Sequence, residues 1–380
     1  MRQCRQTPRY RAARPDHEPQ PCRLGRHRPK DQHPCHHRRD HNRIQAAIPA
    51  IQPDQGEQVL NPFIIPAVAS TASTLAEKHF PLARGKELQR SLALIFSRYL
   101  GNLQSGGRFE AEGLLVTGAS GTGKTREIHH LVKQFNDSEA HLPCGKPARF
   151  VHCLLEGKTG WKGIGSTTLR SLGYPVSDTA RNTQARIWEK VVLQAKAQGV
   201  VGIHYDEAQH IFRGKSETER LAVLDSFKTL LKSHDWPLIL ILSGVPELAG
   251  YVMEEPQLFR LMTQVRLKEI DLPDDYRVMH EIVGSFGIET GLEPAQELLT
   301  EDFYHRLATA AANRWGVMIE ITTKAIMAAR MAEEPILSRA HFVEAWAEKT
   351  KMVRLMNPFT HENYRGMFPS DRLFWARSLE

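Results

Sequence analysis

A chain of 380 residues, 41% hydrophobic and 24% charged, has the composition of a globular protein and the length for two folded domains. No apolar run approaches the roughly eighteen residues that cross a bilayer, and no apolar stretch follows the basic start; neither a membrane partner nor secretion is expected, and the expected location is cytoplasmic. The formal net charge of +7 sits in one place: residues 1–43 hold twelve Lys or Arg against four acids, leaving thirty-eight basic and thirty-nine acidic residues, so any basic surface on the body must be local.

Residues 1–58 are rich in Pro, Arg, His and Gln and nearly lack large apolar side chains. They are expected to form a disordered basic tail, or to be sequence upstream of a true translation start. Cys22 and Cys35 lie among His27, His33, His36, His37 and His41, but without the paired short spacing of structural zinc; Cys4, Cys144 and Cys153 complete an odd set that argues against a disulfide framework. From Leu75 to Leu100 the apolar positions recur at helical spacing, which predicts helices ending at Gly101. Gly113 to Thr117 reads as a buried strand that runs into a glycine-rich loop, and Arg126 to Phe135 as the helix after it.

A second strand is predicted over Ala148 to Leu155, then a helix from Ser166 to Leu172 closed by Gly173 and a polar helix from Thr183 to Gln198 ending at Gly199. Val200 to Tyr205 is a third strand and Leu238 to Leu242 a fourth, with a helix from Glu217 to Ser233 between them. Strands alternating with helices imply a parallel sheet covered on both faces. Beyond Pro273 the pattern is helical throughout, so the expected domains are the tail (1–58), an α/β body with leading helices (59–272), a small α domain (273–351) and a C-terminal tail (352–380).

The loop Gly118-Ala119-Ser120-Gly121-Thr122-Gly123-Lys124-Thr125 has the spacing of a phosphate-binding loop between a strand and a helix. Its glycines let backbone N–H groups turn inward, and the following helix, from Arg126 on, points its positive end at the phosphates. Lys124 supplies a fixed charge for the β- and γ-phosphates, and the Thr125 hydroxyl is a hard ligand for Mg²⁺. The third strand ends in Asp206-Glu207. Asp206 is expected to hold Mg²⁺ and Glu207 to polarise the attacking water, so the expected reaction is hydrolysis of the β–γ bond of ATP. Ser243, at the end of the fourth strand, is the candidate sensor of phosphate state.

These residues resemble the AAA+ class of P-loop NTPases and, within it, the transposon ATP-binding proteins called TniB, related to TnsC and more distantly to MuB and IstB. The resemblance spans roughly Leu75 to Lys349. Its most specific stretch is Asp206-Glu207-Ala208-Gln209-His210-Ile211, Leu224-x3-Lys228-x-Leu230, Pro237 and Ser243-Gly244-Val245-Pro246-Glu247-Leu248; ORC-like and secretion-type ATPases share parts of it.

The resemblance implies an AAA+ ATPase domain with an all-α lid, in which ATP binding drives a homo-oligomeric ring or filament on double-stranded DNA without regard to sequence, to select a target and recruit a DDE transposase. It implies an arginine reaching the neighbour's γ-phosphate; Arg260, after Gln257-Leu258-Phe259, is favoured, with Arg266 the other candidate. Ala312 to Ile321 resembles the start of the lid helix, but Met318 and Ile319 occupy the place of the usual sensor 2 arginine, whose chemistry is therefore expected to be absent, Arg314 being the nearest substitute. Arg213, Lys215, Lys228 and Lys232 are candidates for DNA phosphate contacts. Phe359, Tyr364, Phe368, Phe374 and Trp375 are candidates either to dock a partner or to pack on the lid. The alternative is an ORC- or secretion-type AAA+ NTPase with no role in transposition.

Overall fold

The computed structural model describes residues 61–76, 78–155, 160–174, 183–368 and 373. The expectations of a disordered tail over 1–58, of the reading of Cys22 and Cys35, and of the roles of Phe374 and Trp375 lie outside the described residues. In chain order the elements are α1 (Pro66–Ala76), α2 (Ala83–Ser105), β1 (Gly113–Thr117), α3 (Lys124–Asp137), β2 (Arg149–Leu154), α4 (Trp161–Ser171), α5 (Gln184–Gln198), β3 (Val200–Asp206), α6 (Glu217–Leu231), β4 (Ile239–Gly244), α7 (Glu247–Met253), α8 (Pro256–Arg260) and β5 (Met262–Arg266). There follow α9 (Tyr276–Glu289), β6 (Glu293–Pro294), α10 (Glu301–Ala310), α11 (Trp315–Met331), β7 (Ile336–Leu337), α12 (Arg339–Thr350) and α13 (Tyr364–Met367).

The five strands β1 to β5 form one parallel sheet in the order β2-β3-β4-β1-β5. β1, β3 and β4 are buried at every position, as befits strands covered on both faces. The chain steps one way from β1 to β2 and returns the other way to β5, so right-handed crossovers set α3 on one face and the helices that follow β2, β3 and β4 on the other. The connections leaving β1 and β4 therefore part to opposite faces. That opens a crevice at the carboxyl ends of these two neighbouring strands, the place where open α/β sheets take ligands.

Local signals account for the element ends. Thr183 caps α5 by accepting from the Arg186 amide at 3.4 Å, and Ser216 and Glu219 form a reciprocal capping box on α6. Where expectation and structure part, the reason is tertiary. α2 does not end at Gly101 but runs on to Ser105, because Leu100 and Leu103 continue its apolar stripe onto the core and Gly106, in the left-handed conformation, supplies the stop. α4 begins at Trp161, five residues before the predicted Ser166, since Trp161 stacks on Trp188 of α5 with ring centroids 4.1 Å apart. The helix α6 stops at Leu231, two residues short of Ser233.

The strand β5 was not predicted. At five residues, with only Met262 and Val265 buried, it carries too little alternation to stand out.

A second core gathers around α9 to α12. It includes Phe286, Phe303, Tyr304, Ile321, Phe342 and Trp346, and draws in Leu75 and Leu82 from before β1. This part is not helical throughout: β6 and β7 pair as a two-residue parallel ladder. Phe359, Tyr364 and Phe368 belong to the same core, with the Phe368 ring edge-on to Trp346 at 5.4 Å, so these three aromatics pack on the lid helices.

Candidate active site

Gly121 and Gly123, with φ of +83° and +89°, take the left-handed turns that curl the loop between β1 and α3. Lys124, first residue of α3, is 5% exposed and donates from Nζ to the carbonyls of Gly118 (2.9 Å) and Ala119 (3.1 Å). Burial lowers its pKa, against the opposing charges of Glu207 and Asp206. The Thr122 hydroxyl is spent inside the loop, donating to the Ala119 carbonyl at 2.9 Å.

Thr125, one residue on, donates from Oγ1 to Asp206 Oδ2 at 2.7 Å. The two residues expected to hold Mg²⁺ therefore meet, although 81 positions separate them. Asp206 is 1% exposed, and its Oδ1 accepts from the Ser243 hydroxyl (2.6 Å) and the Glu207 amide (3.0 Å). Burial would raise its pKa, but these donors, with Thr125 and His204, outweigh it and hold the carboxyl below its usual range. An ionised carboxylate beside a threonine hydroxyl is a hard oxygen pair suited to Mg²⁺.

Glu207 follows in the left-handed conformation (φ +53°), rare for a residue with a side chain, and accepts a hydrogen bond from the Gln209 side-chain amide. Gln209 is 1% exposed, and its Oε1 also takes the Val245 amide at 3.4 Å, tying Glu207 to the end of β4. Sequence reasoning quoted Gln209 only as part of a motif; its two-residue spacing from Glu207 was the available signal.

Four further residues crowd the loop from the other side. Arg314 Nη1, at the N-cap of α11, donates to the Ser120 carbonyl at 2.6 Å, and the Val317 amide donates to Gly121 O at 3.2 Å. A Cβ on Gly316 would come within 2.6 Å of that same Gly121 oxygen, so only glycine allows the approach. Arg84 of α2, 10% exposed, is paired with the buried Glu127 at 3.5 Å and comes close to Gly123. Its Nη1 has no hydrogen-bond partner among the described residues. Beside it lies a cleft of about 80 Å³ whose walls include Phe80, Leu82, Phe286 and Ile319. Lys78, His79, Arg126 and Glu127 complete its lining, so the cleft is of mixed polarity. Arg84 was invisible in the sequence because its place depends on how α2 packs on α3.

The side chain of Arg126 turns away from the loop, donating to the carbonyls of Ala76 (2.9 Å) and Lys78 (2.6 Å). Arg260 is exposed at the end of α8, before β5, at the sheet edge opposite the loop; Arg266 ends β5, in register with Thr117 beside the loop. The DNA candidates Arg213, Lys228 and Lys232 are paired with Glu247 (2.8 Å), Asp225 (2.6 Å) and Glu110 (2.8 Å). A cleft of about 570 Å³ between α5 and α6 has Trp188, Leu193 and Lys228 on its walls and none of the loop residues, so it is separate from the phosphate-loop site.

One buried group bears on stability. His204 of β3 is fully buried, and burial, with His152 beside it, pushes its pKa down to about 3. The unfolded chain binds a proton at His204 below about pH 6.5 that the folded chain refuses. Stability is thus fully present above that pH and falls as pH drops toward 3, by about 1.4 kcal/mol per pH unit for one proton. Urea unfolding between pH 7 and 4.5 is expected to show that slope in the wild type and a shallower one in His204→Leu; parallel slopes would reject it.

Residues 108–252 match the family model of an AAA domain. No curated protein matches the chain. Among solved structures, the chain is similar to the ORC2 protein of Aeropyrum pernix in ADPNP–ADP complexes, with 18% identity and a TM-score of 0.52 over 72% of this chain and 71% of that one. It is also similar to the ORC1 protein of the same organism in complex with DNA, with 15% identity and a TM-score of 0.53 over 74% of this chain and 69% of that one. At such identities the likeness is one of fold. The five-stranded parallel sheet, its phosphate loop and the helical domain after it make this a P-loop AAA+ fold.

Proposed function

We propose that this chain binds and hydrolyses Mg-ATP, and that its ATP state assembles on double-stranded DNA as a regulator of transposition that recruits a DDE transposase. The observation that carries the enzymatic part is the contact of Thr125 with Asp206 at the carboxyl edge of the sheet, one residue from a buried lysine. Lys124 would exchange its two carbonyl partners for phosphate oxygens, and Thr125 and Asp206 would hold the magnesium ion. Bound there, magnesium neutralises charge on the phosphates. Glu207, oriented by Gln209, takes the proton of the attacking water.

The two candidate arginines differ in reach. Arg260 closes α8 before β5 and Arg266 ends β5, so that strand, about 13 Å from its first Cα to its last, separates them. Arg266 is beside its own loop, whereas Arg260 is exposed beyond the opposite end of β5, which favours Arg260 as the residue given to a neighbouring subunit in a ring or filament.

The DNA reading is supported by a local basic surface. Lys146, Arg149, Lys162, Arg170, Arg186, Lys190 and Lys196 lie on or beside β2, α4 and α5, where Glu189 is the one acid among the described residues. None of the seven is ion-paired among the described residues. Lys162 and Arg170, both exposed, stand eight residues apart on α4, about 12 Å along its axis and within a quarter-turn of each other, so one phosphate backbone can meet both. The transposase partner rests on the stretch from Asp206 to Leu248 that resembles TniB; no membrane partner is proposed, and among the described residues no helix is long and apolar enough to cross a bilayer.

Electron microscopy with duplex DNA is expected to show assemblies with a non-hydrolysable ATP analogue and none with ADP. Lys162→Glu with Arg170→Glu is expected to weaken DNA binding at least tenfold at physiological salt, whatever the duplex sequence, while leaving ATP affinity in place. Absence of any DNA-bound form would sink the transposition reading and leave an AAA+ NTPase acting elsewhere.

A further inference from the structure

Four polar side chains lie on one face of the central strands, where apolar residues would be expected. His152 of β2 is in register with His204 of β3; Asp206 is two residues beyond His204, and Ser243 of β4 is two beyond Ile241, the partner of His204. Strand periodicity puts all four on the same face, with His129 of α3 stacked on His152 at 5.7 Å. His204 is bonded at both ring nitrogens: Nδ1 to His152 Nδ1 and Nε2 to Ser243 Oγ, each at 2.8 Å.

Hydrogen counting gives the chain a direction. An ionised carboxylate only accepts, so the single hydrogen of the Ser243 hydroxyl lies on Asp206 Oδ1. The serine oxygen must then accept from His204, and His204 Nε2 must carry a hydrogen. We propose that His204 is a positioning residue for the metal site: it fixes the Ser243 hydroxyl so that Ser243 donates to Asp206 Oδ1, leaving Oδ2 turned toward Thr125 and the metal.

The inference rests on the Mg-ATP reading and assigns Ser243 to the carboxylate rather than to the phosphate. Without the His204 donor, Ser243 has an unfilled acceptor in a dry site and a hydroxyl free to rotate away, and Asp206 loses the bond that sets its angle. Partners that orient a metal ligand typically matter ten- to a hundredfold for metal affinity.

The test compares His204→Leu with His204→Gln, whose amide can still donate to Ser243. The leucine variant is expected to need about tenfold more Mg²⁺ for half-maximal ATP hydrolysis, with binding of a fluorescent ADP in EDTA changed less than about twofold. His204→Gln is expected to return the Mg²⁺ requirement to within about threefold of wild type. An unchanged Mg²⁺ requirement in a folded His204→Leu, or equal shifts in both variants, overturns the proposal. Should the leucine variant not fold, the wild type decides: long-range proton–nitrogen correlation on ¹⁵N-histidine-labelled protein is expected to show His204 protonated at Nε2, and a bare Nε2 overturns the proposal. A wild type that hydrolyses no ATP would remove the enzymatic reading, while the imidazole spectrum would still place the hydrogen.

Discussion

Lys124→Ala is expected to weaken nucleotide binding: affinity for a fluorescent ATP analogue should fall about ten- to a hundredfold, with the thermal midpoint within a few degrees of wild type. The lysine is 5% exposed, and its ammonium is held in the loop by two carbonyls at 2.9 and 3.1 Å. A buried charge-assisted contact to an anion contributes about 1.5–3 kcal/mol, or ten- to some hundredfold in affinity. Equal affinity in the two proteins would mean that the loop is a structural turn.

Glu207→Gln is expected to separate binding from chemistry. ATP affinity should stay within about threefold of wild type, while steady-state phosphate release falls by 10²–10⁴, the usual worth of a positioned general base. The glutamate is held in a left-handed backbone conformation and bonded by Gln209, a costly arrangement for a residue with no task. If the variant turned over at the wild-type rate, the base would have to be sought elsewhere. If it lost ATP affinity as Lys124→Ala does, Glu207 would be a binding residue.

What could be read in the sequence was what is contiguous in it. The loop from Gly118 to Thr125 sits between a five-residue apolar strand and a helix, and Asp206 ends a seven-residue strand that is buried throughout. Each such unit carries its own periodicity and its own punctuation, so the α/β plan followed from local pattern. Arg84 could not be found that way, and Arg314 and Gly316, noted only through the resemblance of Ala312 to Ile321 to a lid-helix entry, could not be tied to the loop by local pattern. Arg84 and Arg314 belong to helices 194 or fewer positions from the loop they touch, and only the packing of α2 and α11 brings them there. His204 was read as one residue of a buried strand; its hydrogen bonds run across to β2 and β4, and strand order is not written in any single strand. β5 escaped because a short, half-polar edge strand looks like a loop. Gly101 misled because a glycine whose Cβ would meet open space can sit inside a helix at a cost of about 1 kcal/mol.

The first turn of α11 is seated on the phosphate loop through Gly316, Val317 and Arg314, and the rest of that helix runs through the second core. Seventeen residues give it a length of about 25 Å. It is therefore a lever with its fulcrum at the phosphate loop: a tilt of about 10° there swings its far end by about 4 Å. A displacement of an ångström or so at the loop, about the rise of one helical residue, is thus magnified at the outer rim of the helical domain, far from Asp206 and Glu207.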